Sequence, residues 1–272
     1  METDSTNRNL VPIPFDEVKG VLLDIMTDLD RFCRNNGLRY SLAYGSLIGA
    51  SRHKGFIPWD DDIDILMPRE DYMKLLETYS HPYYIIESPE KDPDHPLDYA
   101  KLCDKRTLSS DQFGNVSSVA VDIFILDGLP EPLEEAKRRI ESYKRLCRLW
   151  SSQIFTRRLS LKKEYGFKKN RLIIEAKLLH VFISEKSVVD KLLQFKRRYP
   201  LDESKYCASL TGDCTIYESA GMLKYIDWPF EDRTFRVFEN YDYPLRLFYG
   251  DYMVLPPESE RYNHGAQAYW VR

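Results

Sequence analysis

The chain of 272 residues is 43% hydrophobic and 13% aromatic, enough for a substantial core, and its 30% charged residues leave a net charge of −4. That balance excludes a protein held to nucleic acid by bulk positive charge. No stretch approaches about 18 uninterrupted apolar residues, which excludes a membrane-spanning helix.

In chain order, the start METDSTNRNL has no basic stretch leading into an apolar one, so no signal peptide and a cytoplasmic location are expected. Phe15, Val18, Val21, Leu22, Ile25, Met26, Leu29 and Phe32 recur at spacings of three and four, predicting an amphipathic helix over 15–36. Pro14 before it and Gly37 after it suit a helix start and stop. Leu38 to Ala43 predicts a strand, and Ser46 to Arg52 a short helix. Gly45-Ser46 lies at the turn between them, where glycine lets backbone approach a phosphate and N–H groups at a helix start attract anions. Arg52-His53-Lys54-Gly55 reads as a cationic turn suited to phosphate oxygens, or as an ordinary surface turn.

Trp59 is followed by Asp60, Asp61, Asp62 and Asp64, and Asp62-Ile63-Asp64-Ile65 alternates with the period of a strand. Side chains at 60, 62 and 64 then share one face. Carboxylates held that close raise one another's pKa, and a divalent cation relieves them. Hard oxygen donors suit Mg2+ or Mn2+. A solvated acidic loop is the plain alternative, but it has no need of the interleaved Ile63, Ile65 and Leu66. Arg69 to Tyr79 predicts a helix, Tyr84 to Ile86 and Ala100 to Cys103 short strands. The latter carries Lys101, read as solvent-reaching or as a contact for a donor phosphate. VSSVAVDIFIL, residues 116–126, is the strongest strand signal, and an ionised Asp122 inside it is costly unless paired or metal-bound. The Gly-Ser turn followed by an Asp-x-Asp strand resembles the nucleotidyltransferase superfamily. That resemblance implies a third carboxylate on an adjacent strand, a place Asp122 fits. Asp62, Asp64 and Asp122 are then the expected metal ligands, with Asp60 the expected proton acceptor.

Pro130 to Ile154 and Ser187 to Tyr199 predict helices, with 155–183 irregular and then apolar. Between Lys137 and Arg198 there are 19 Lys or Arg against 5 Asp or Glu. Such a segment is either a solvated basic face or one held toward an anionic membrane or lipid-linked acceptor. Trp228 to Val237 suggests a strand pair, and Tyr241 to Tyr249 a helix ended by Gly250. The cysteines at 33, 103, 147, 207 and 214 are odd in number and contain no C-x-x-C pair, so free thiols are expected.

Residues 44–72, YGSLIGASRHKGFIPWDDDIDILMPREDY, resemble the signature of the LicD family of phosphocholine transferases. The resemblance extends to VDIFILDG at 121–128 and YGDYMVLPP at 249–257, in family order. It implies an α+β fold with a nucleotidyltransferase-like mixed sheet core, flanking helices and a helical insert. The expected division is a catalytic core at 1–130, a basic helical insert or lid at 131–200, and a completing part at 201–272. The implied reaction is Mg2+-dependent transfer of phosphocholine, or a similar phospho-substituent, from a CDP-activated donor to a hydroxyl of a cell-surface glycan precursor, with release of CMP. The RHKG segment belongs to the signature, which favours its phosphate-binding reading. The C-terminal motif in this family ends near a histidine, here His264, a candidate substrate contact; Asn263 stands where a second His is common. Rivals are a nucleotidyltransferase attacking the α-phosphorus and releasing pyrophosphate, or a catalytically silent partner in glycan assembly. A Ca2+ module would need an EF-hand spacing that is absent.

Overall fold

In the computed structural model, residues 10–92, 95–110, 116–154, 156, 159–162, 166–182, 184–263 and 265–271 are described. The chain forms β1 (Leu10–Ile13), α1 (Phe15–Asn35), β2 (Ser41–Leu42) and α2 (Tyr44–Ile48), whose end widens into π-helical geometry over Gly49–His53. Next come β3 (Ile63–Pro68), α3 (Arg69–Thr78), β4 (Tyr84–Glu87), β5 (Ala100–Asp104), β6 (Thr107–Ser110), β7 (Val116–Ser117) and β8 (Ala120–Leu129). Helices α4 (Leu133–Ile154), α5 (Gly166–Phe182) and α6 (Glu185–Lys196) precede β9 (Tyr206–Ser209), β10 (Tyr217–Glu218), β11 (Tyr225–Phe230) and β12 (Arg233–Phe238). The chain continues through α7 (Asp242–Tyr249) to β13 (Gln267–Val271). The fold is α+β, as expected.

Two compact units divide the chain. The first comprises Met1–Ile86, Lys101–Phe124 and Ala220–Arg272; the second, Glu87–Ala100 and Ile125–Ser219. In the first unit, β3 lies between β2 and the opening half of β8. α1 buries Val21, Leu22, Ile25, Met26, Leu29 and Cys33 on one stripe, which is the periodicity in the sequence made physical. Each large aliphatic side chain so buried contributes roughly 1.5–3 kcal/mol. A separate sheet, in the order β1-β13-β6-β7, pairs Leu10–Ile13 with the far end of the chain at Ala268–Val271.

The β11–β12 hairpin matters most for the site. Arg34 on α1 pairs with Asp227 at 2.7 Å, Arg233 donates to Thr27 Oγ1 at 2.7 Å, and the Phe238 N–H donates to Ser41 Oγ at 3.0 Å. So anchored, the hairpin supports residues 49–57. Trp228 Nε1 donates to the Ala50 carbonyl at 3.0 Å, and Phe56 meets Phe230 edge-on at 5.0 Å. The Phe56 N–H donates to Glu231 Oε1 at 2.9 Å, and the Glu231 N–H to the Lys54 carbonyl at 2.7 Å. Gly49 is enclosed here: a Cβ would drive into the Gly55 carbonyl and come within 3.3 Å of the Ile57 nitrogen. Both obstacles are backbone. Gly49→Ala is therefore expected to cost about 1–3 kcal/mol in denaturant unfolding, with a lower midpoint at unchanged slope.

The second unit packs α4 and α6 around Leu129, Ala136, Ile140, Tyr143, Trp150, Val188, Val189 and Leu192. The closing half of β8 pairs antiparallel with β9, Leu126 opposite Ser209 and Leu129 opposite Tyr206. Asp98 accepts from Tyr143 Oη at 2.5 Å, while the buried Lys196 ammonium donates to the Asp98 carbonyl at 2.6 Å. Three sequence expectations are corrected. α5 begins at Gly166, within ground read as irregular before its apolar part. The strand expected over 116–126 is interrupted at Ser118-Val119 and resumes to Leu129. The strand expected over 38–43 shortens to Ser41–Leu42 because Tyr44 already begins α2. Cys33, Cys103 and Cys207 are free and buried, Cys147 and Cys214 free and half-buried.

Candidate active site

The candidate site is built from the turn at Tyr44-Gly45-Ser46, the strand β3, and the opening half of β8. β3 starts at Ile63, not Asp62, so Asp60 and Asp62 lie in the approach to the strand and only Asp64 lies within it. Ile63, Ile65 and Met67 are buried on one face of β3, which fixes the register and turns Asp64, with Leu66, to the other face. Ser46 secures this from α2: its buried hydroxyl accepts the Asp64 N–H at 2.9 Å. The sequence assigns Ser46 a backbone role only; its side chain also locks β3 to the turn. Gly45 lies directly against the acidic segment, since a Cβ there would stand 2.9 Å from Asp60 Oδ2.

The electrostatics show which carboxylates meet. Burial pushes the Asp64 pKa well above the ordinary carboxylate range, and the negative charges of Asp62, Asp122 and Asp60 push it further, while Lys101 pulls it back. Side chains from β3, from its approach and from the neighbouring β8 thus act on one group. Asp122 is paired with Lys101 on β5, Nζ to Oδ1 at 2.6 Å. Burial works against the charged amine of Lys101, but the Asp122 carboxylate more than offsets it, and the net pKa is raised. Lys101 is therefore the counter-charge of the acidic group rather than a solvent-reaching side chain. Among the described residues, no three His, Cys, Asp or Glu side chains stand as a ready-made metal ligand set.

The cationic turn is engaged elsewhere. Arg52 Nη1 donates to the Tyr252 carbonyl at 2.6 Å and to the Val254 carbonyl at 3.4 Å, and Arg52 Nε donates to His53 Nε2 at 2.9 Å. Burial and the adjacent Arg52 hold the His53 pKa below its ordinary value, so it is neutral at pH 7. Lys54, in the left-handed region at φ 62°, places its ammonium 4.6 Å from the Trp228 ring centre. Arg52 thus ties the first signature motif to the third, YGDYMVLPP, and Arg261 Nε holds that motif's Pro256 carbonyl at 2.9 Å. Glu231, Trp228 and Tyr252 are supports that the sequence leaves invisible, because a residue's closeness to a loop some 180 positions away has no local signal. His264 lies outside the described residues.

Carboxylates meeting across two neighbouring strands, beside a glycine-serine turn, define a nucleotidyltransferase-like transferase core. Residues 37–128 match the model of the LicD/FKTN/FKRP nucleotidyltransferase domain. Over 269 residues, 92% of this chain and 96% of the relative, the chain is 34% identical to the lipopolysaccharide cholinephosphotransferase LicD of Haemophilus influenzae. The chain belongs to the LicD family, and with it to the phosphotransferases. Shorter matches, 41% identical over 56 residues and 42% over 69, join it to uncharacterized proteins of Rickettsia prowazekii and Rickettsia typhi. They span 21% and 24% of this chain, and 21% and 22% of those relatives.

Proposed function

We propose that this enzyme transfers phosphocholine, or a closely similar phospho-substituent, from a CDP-activated donor to a hydroxyl of a lipopolysaccharide or related cell-surface glycan precursor. The full-length similarity to a lipopolysaccharide cholinephosphotransferase and the carboxylate group around Asp64 support it together. The acceptor hydroxyl oxygen attacks the β-phosphorus of the donor. The bond from that phosphorus to the bridging oxygen breaks, and CMP leaves with the oxygen. Asp60, beside Gly45, takes the hydroxyl proton. Lys101, beside Asp122, offsets negative charge that grows as the diphosphate divides.

The residues fit a Mg2+ or Mn2+ requirement by their donor chemistry. Asp62, Asp64 and Asp122 offer only hard carboxylate oxygens, and the excess negative charge at Asp64 is relieved by a divalent cation. When bound, such an ion supplies charge neutralisation at the nonbridging phosphate oxygens. The deciding assay incubates the enzyme with CDP-choline, Mg2+ and a lipopolysaccharide-type acceptor and identifies the products by mass. CMP with phosphocholine-bearing acceptor is expected. Free phosphocholine with CMP attached to the acceptor would overturn the reading, because it marks attack at the α-phosphorus.

An anionic lipid surface is the proposed seat of the basic segment, within the second unit. No helix among the described residues is long and apolar enough to cross a membrane. α5, however, leaves Phe167 84%, Leu178 60% and Val181 75% exposed among Lys168, Lys169, Arg171 and Lys177. Exposed apolar side chains set among cations suit the headgroup boundary of an anionic bilayer. Reversing Lys168, Lys169 and Arg171 to Glu is expected to abolish sedimentation with phosphatidylglycerol vesicles, at roughly 1 kcal/mol for each charge removed. Unchanged sedimentation rejects the contact.

A further inference from the structure

Two arginines of the first unit stand together with no counter-charge among the described residues. Arg52 Nη1 donates to the Tyr252 and Val254 carbonyls, and Arg52 Nε to His53. Arg261 Nε donates to the Pro256 carbonyl, and its guanidinium lies 5.5 Å from the centre of the Trp59 ring. Both are thus anchored on one short segment, 252–256, and by neutral carbonyls only. All three side chains, Arg52, Trp59 and Arg261, are half-buried.

The acids close by in the chain do not compensate them. Asp242 is held by Arg246 at 2.6 Å and by Tyr252 Oη at 2.8 Å, and Glu231 takes the Phe56 N–H. Glu258 and Glu260 are exposed, and neither arginine forms an ion pair with a described carboxylate. The strain registers at Arg52: burial lowers its pKa, and the Arg261 charge lowers it further. Like charges held half out of water repel unless an anion lies with them. A guanidinium has five N–H donors. Arg52 Nη2 and both terminal nitrogens of Arg261 have no acceptor among the described residues.

We infer that Arg52 and Arg261 form a phosphate-monoester subsite for the acceptor, so that this enzyme selects a glycan already phosphorylated near the hydroxyl that reacts. This rests on the proposed transfer reaction and adds a required feature of its acceptor. A phosphate monoester carries about 1.5 to 2 negative charges at neutral pH and three terminal oxygens, which suits two guanidiniums. A carboxylate or a phosphodiester carries one charge and leaves one arginine uncompensated. The donor diphosphate already has Lys101 and the carboxylate group with its cation. Trp59, the ring under Arg261, directly precedes Asp60, the group proposed to take the acceptor's proton, so the added phosphate falls to the acceptor.

The test has a binding arm and a turnover arm. In the first, inorganic phosphate is titrated calorimetrically into the wild type, Arg261→Gln and Arg261→Lys, in EDTA and without nucleotide. The carboxylates then hold no cation and repel the probe. Saturable binding that weakens with added salt is expected for the wild type, with a loss of at least about tenfold in Arg261→Gln and part of the affinity kept in Arg261→Lys. No binding by the wild type, or equal affinity in Arg261→Gln, overturns the inference. In the second arm, a lipopolysaccharide-type acceptor is compared before and after treatment with alkaline phosphatase. The wild-type KM for the acceptor is expected to rise roughly tenfold on treatment, and Arg261→Gln to show the higher value with both, at an unchanged KM for CDP-choline. An acceptor KM that treatment leaves unchanged overturns the inference. So does an effect of Arg261→Gln confined to the KM for CDP-choline, because it puts the bound phosphate on the donor. Failure here is distinguishable from failure of the transfer reading. Phosphate binding in EDTA involves neither donor nor metal and survives attack at the α-phosphorus, whereas CMP release without phosphate binding removes this subsite alone.

Discussion

Asp64→Asn is expected to yield a more stable and almost inactive protein. The wild-type carboxyl is buried and faces Asp62, Asp122 and Asp60, so its ionised form is costly in the folded chain. The neutral amide removes that repulsion, while the backbone N–H of residue 64 keeps its bond to Ser46 Oγ. A gain of about 1 kcal/mol without divalent cation corresponds to a rise in Tm of about 2–4 °C. The sign of the pH dependence follows from linkage. A carboxyl whose folded pKa is raised holds its proton to higher pH when folded than when unfolded. The wild type therefore gains stability as pH falls through the folded value toward the ordinary carboxylate range. The advantage of Asp64→Asn should shrink over the same interval and vanish below the ordinary carboxylate range, where the carboxyl is protonated folded and unfolded alike. Transfer activity is expected to fall at least a hundredfold. Thermal scans with EDTA across pH, together with product assays, test both halves. A lower Tm for Asp64→Asn at neutral pH would remove the electrostatic account of the site.

Lys101→Met is expected to act in the opposite direction. It keeps the length of the side chain and deletes the cation that stands 2.6 Å from Asp122 and moderates Asp64. Breaking a largely buried pair leaves its partner charged and without compensation, at a cost of about 3 kcal/mol, or about 6–12 °C in Tm. Because the cost arises from ionised carboxylates, it should diminish in acid. The double variant Lys101→Met/Asp122→Asn should recover much of the loss, since a neutral pair replaces an orphaned charge. Recovery separates the charge effect from simple loss of packing. If the double variant is as unstable as Lys101→Met alone, the pairing contributes little.

The sequence makes the acidic residues legible and leaves their supports hidden, for a physical reason. Alternation through Ile63, Asp64 and Ile65 is local, and so is the apolar density that makes Asp122 conspicuous. Both signals arise within a few residues of the groups they identify. The role of Lys101 depends on β5 lying beside β8, and that of Arg52 on two carbonyls some 200 positions away. Neither leaves a periodic trace. Composition suggests a phosphate grip at the cationic turn; that its Arg52 also clasps the later motif could not be read from it. The short strands β1 and β13 go unforeseen because each is defined by its partner at the opposite end of the chain and not by its own pattern.

The region that carries the family signature, 37–128, is not a portable module. Its central loop depends on Glu231 and Trp228 for backbone hydrogen bonds and on the Tyr252 and Val254 carbonyls as acceptors for Arg52. A fragment trimmed to that region would leave the Arg52 guanidinium, the Phe56 amide and the Ala50 and Lys54 carbonyls without these partners, beside the candidate site. Grafts, minimal versions and chimeras of this enzyme must carry the C-terminal hairpin and the stretch through Val254 along with the aspartates.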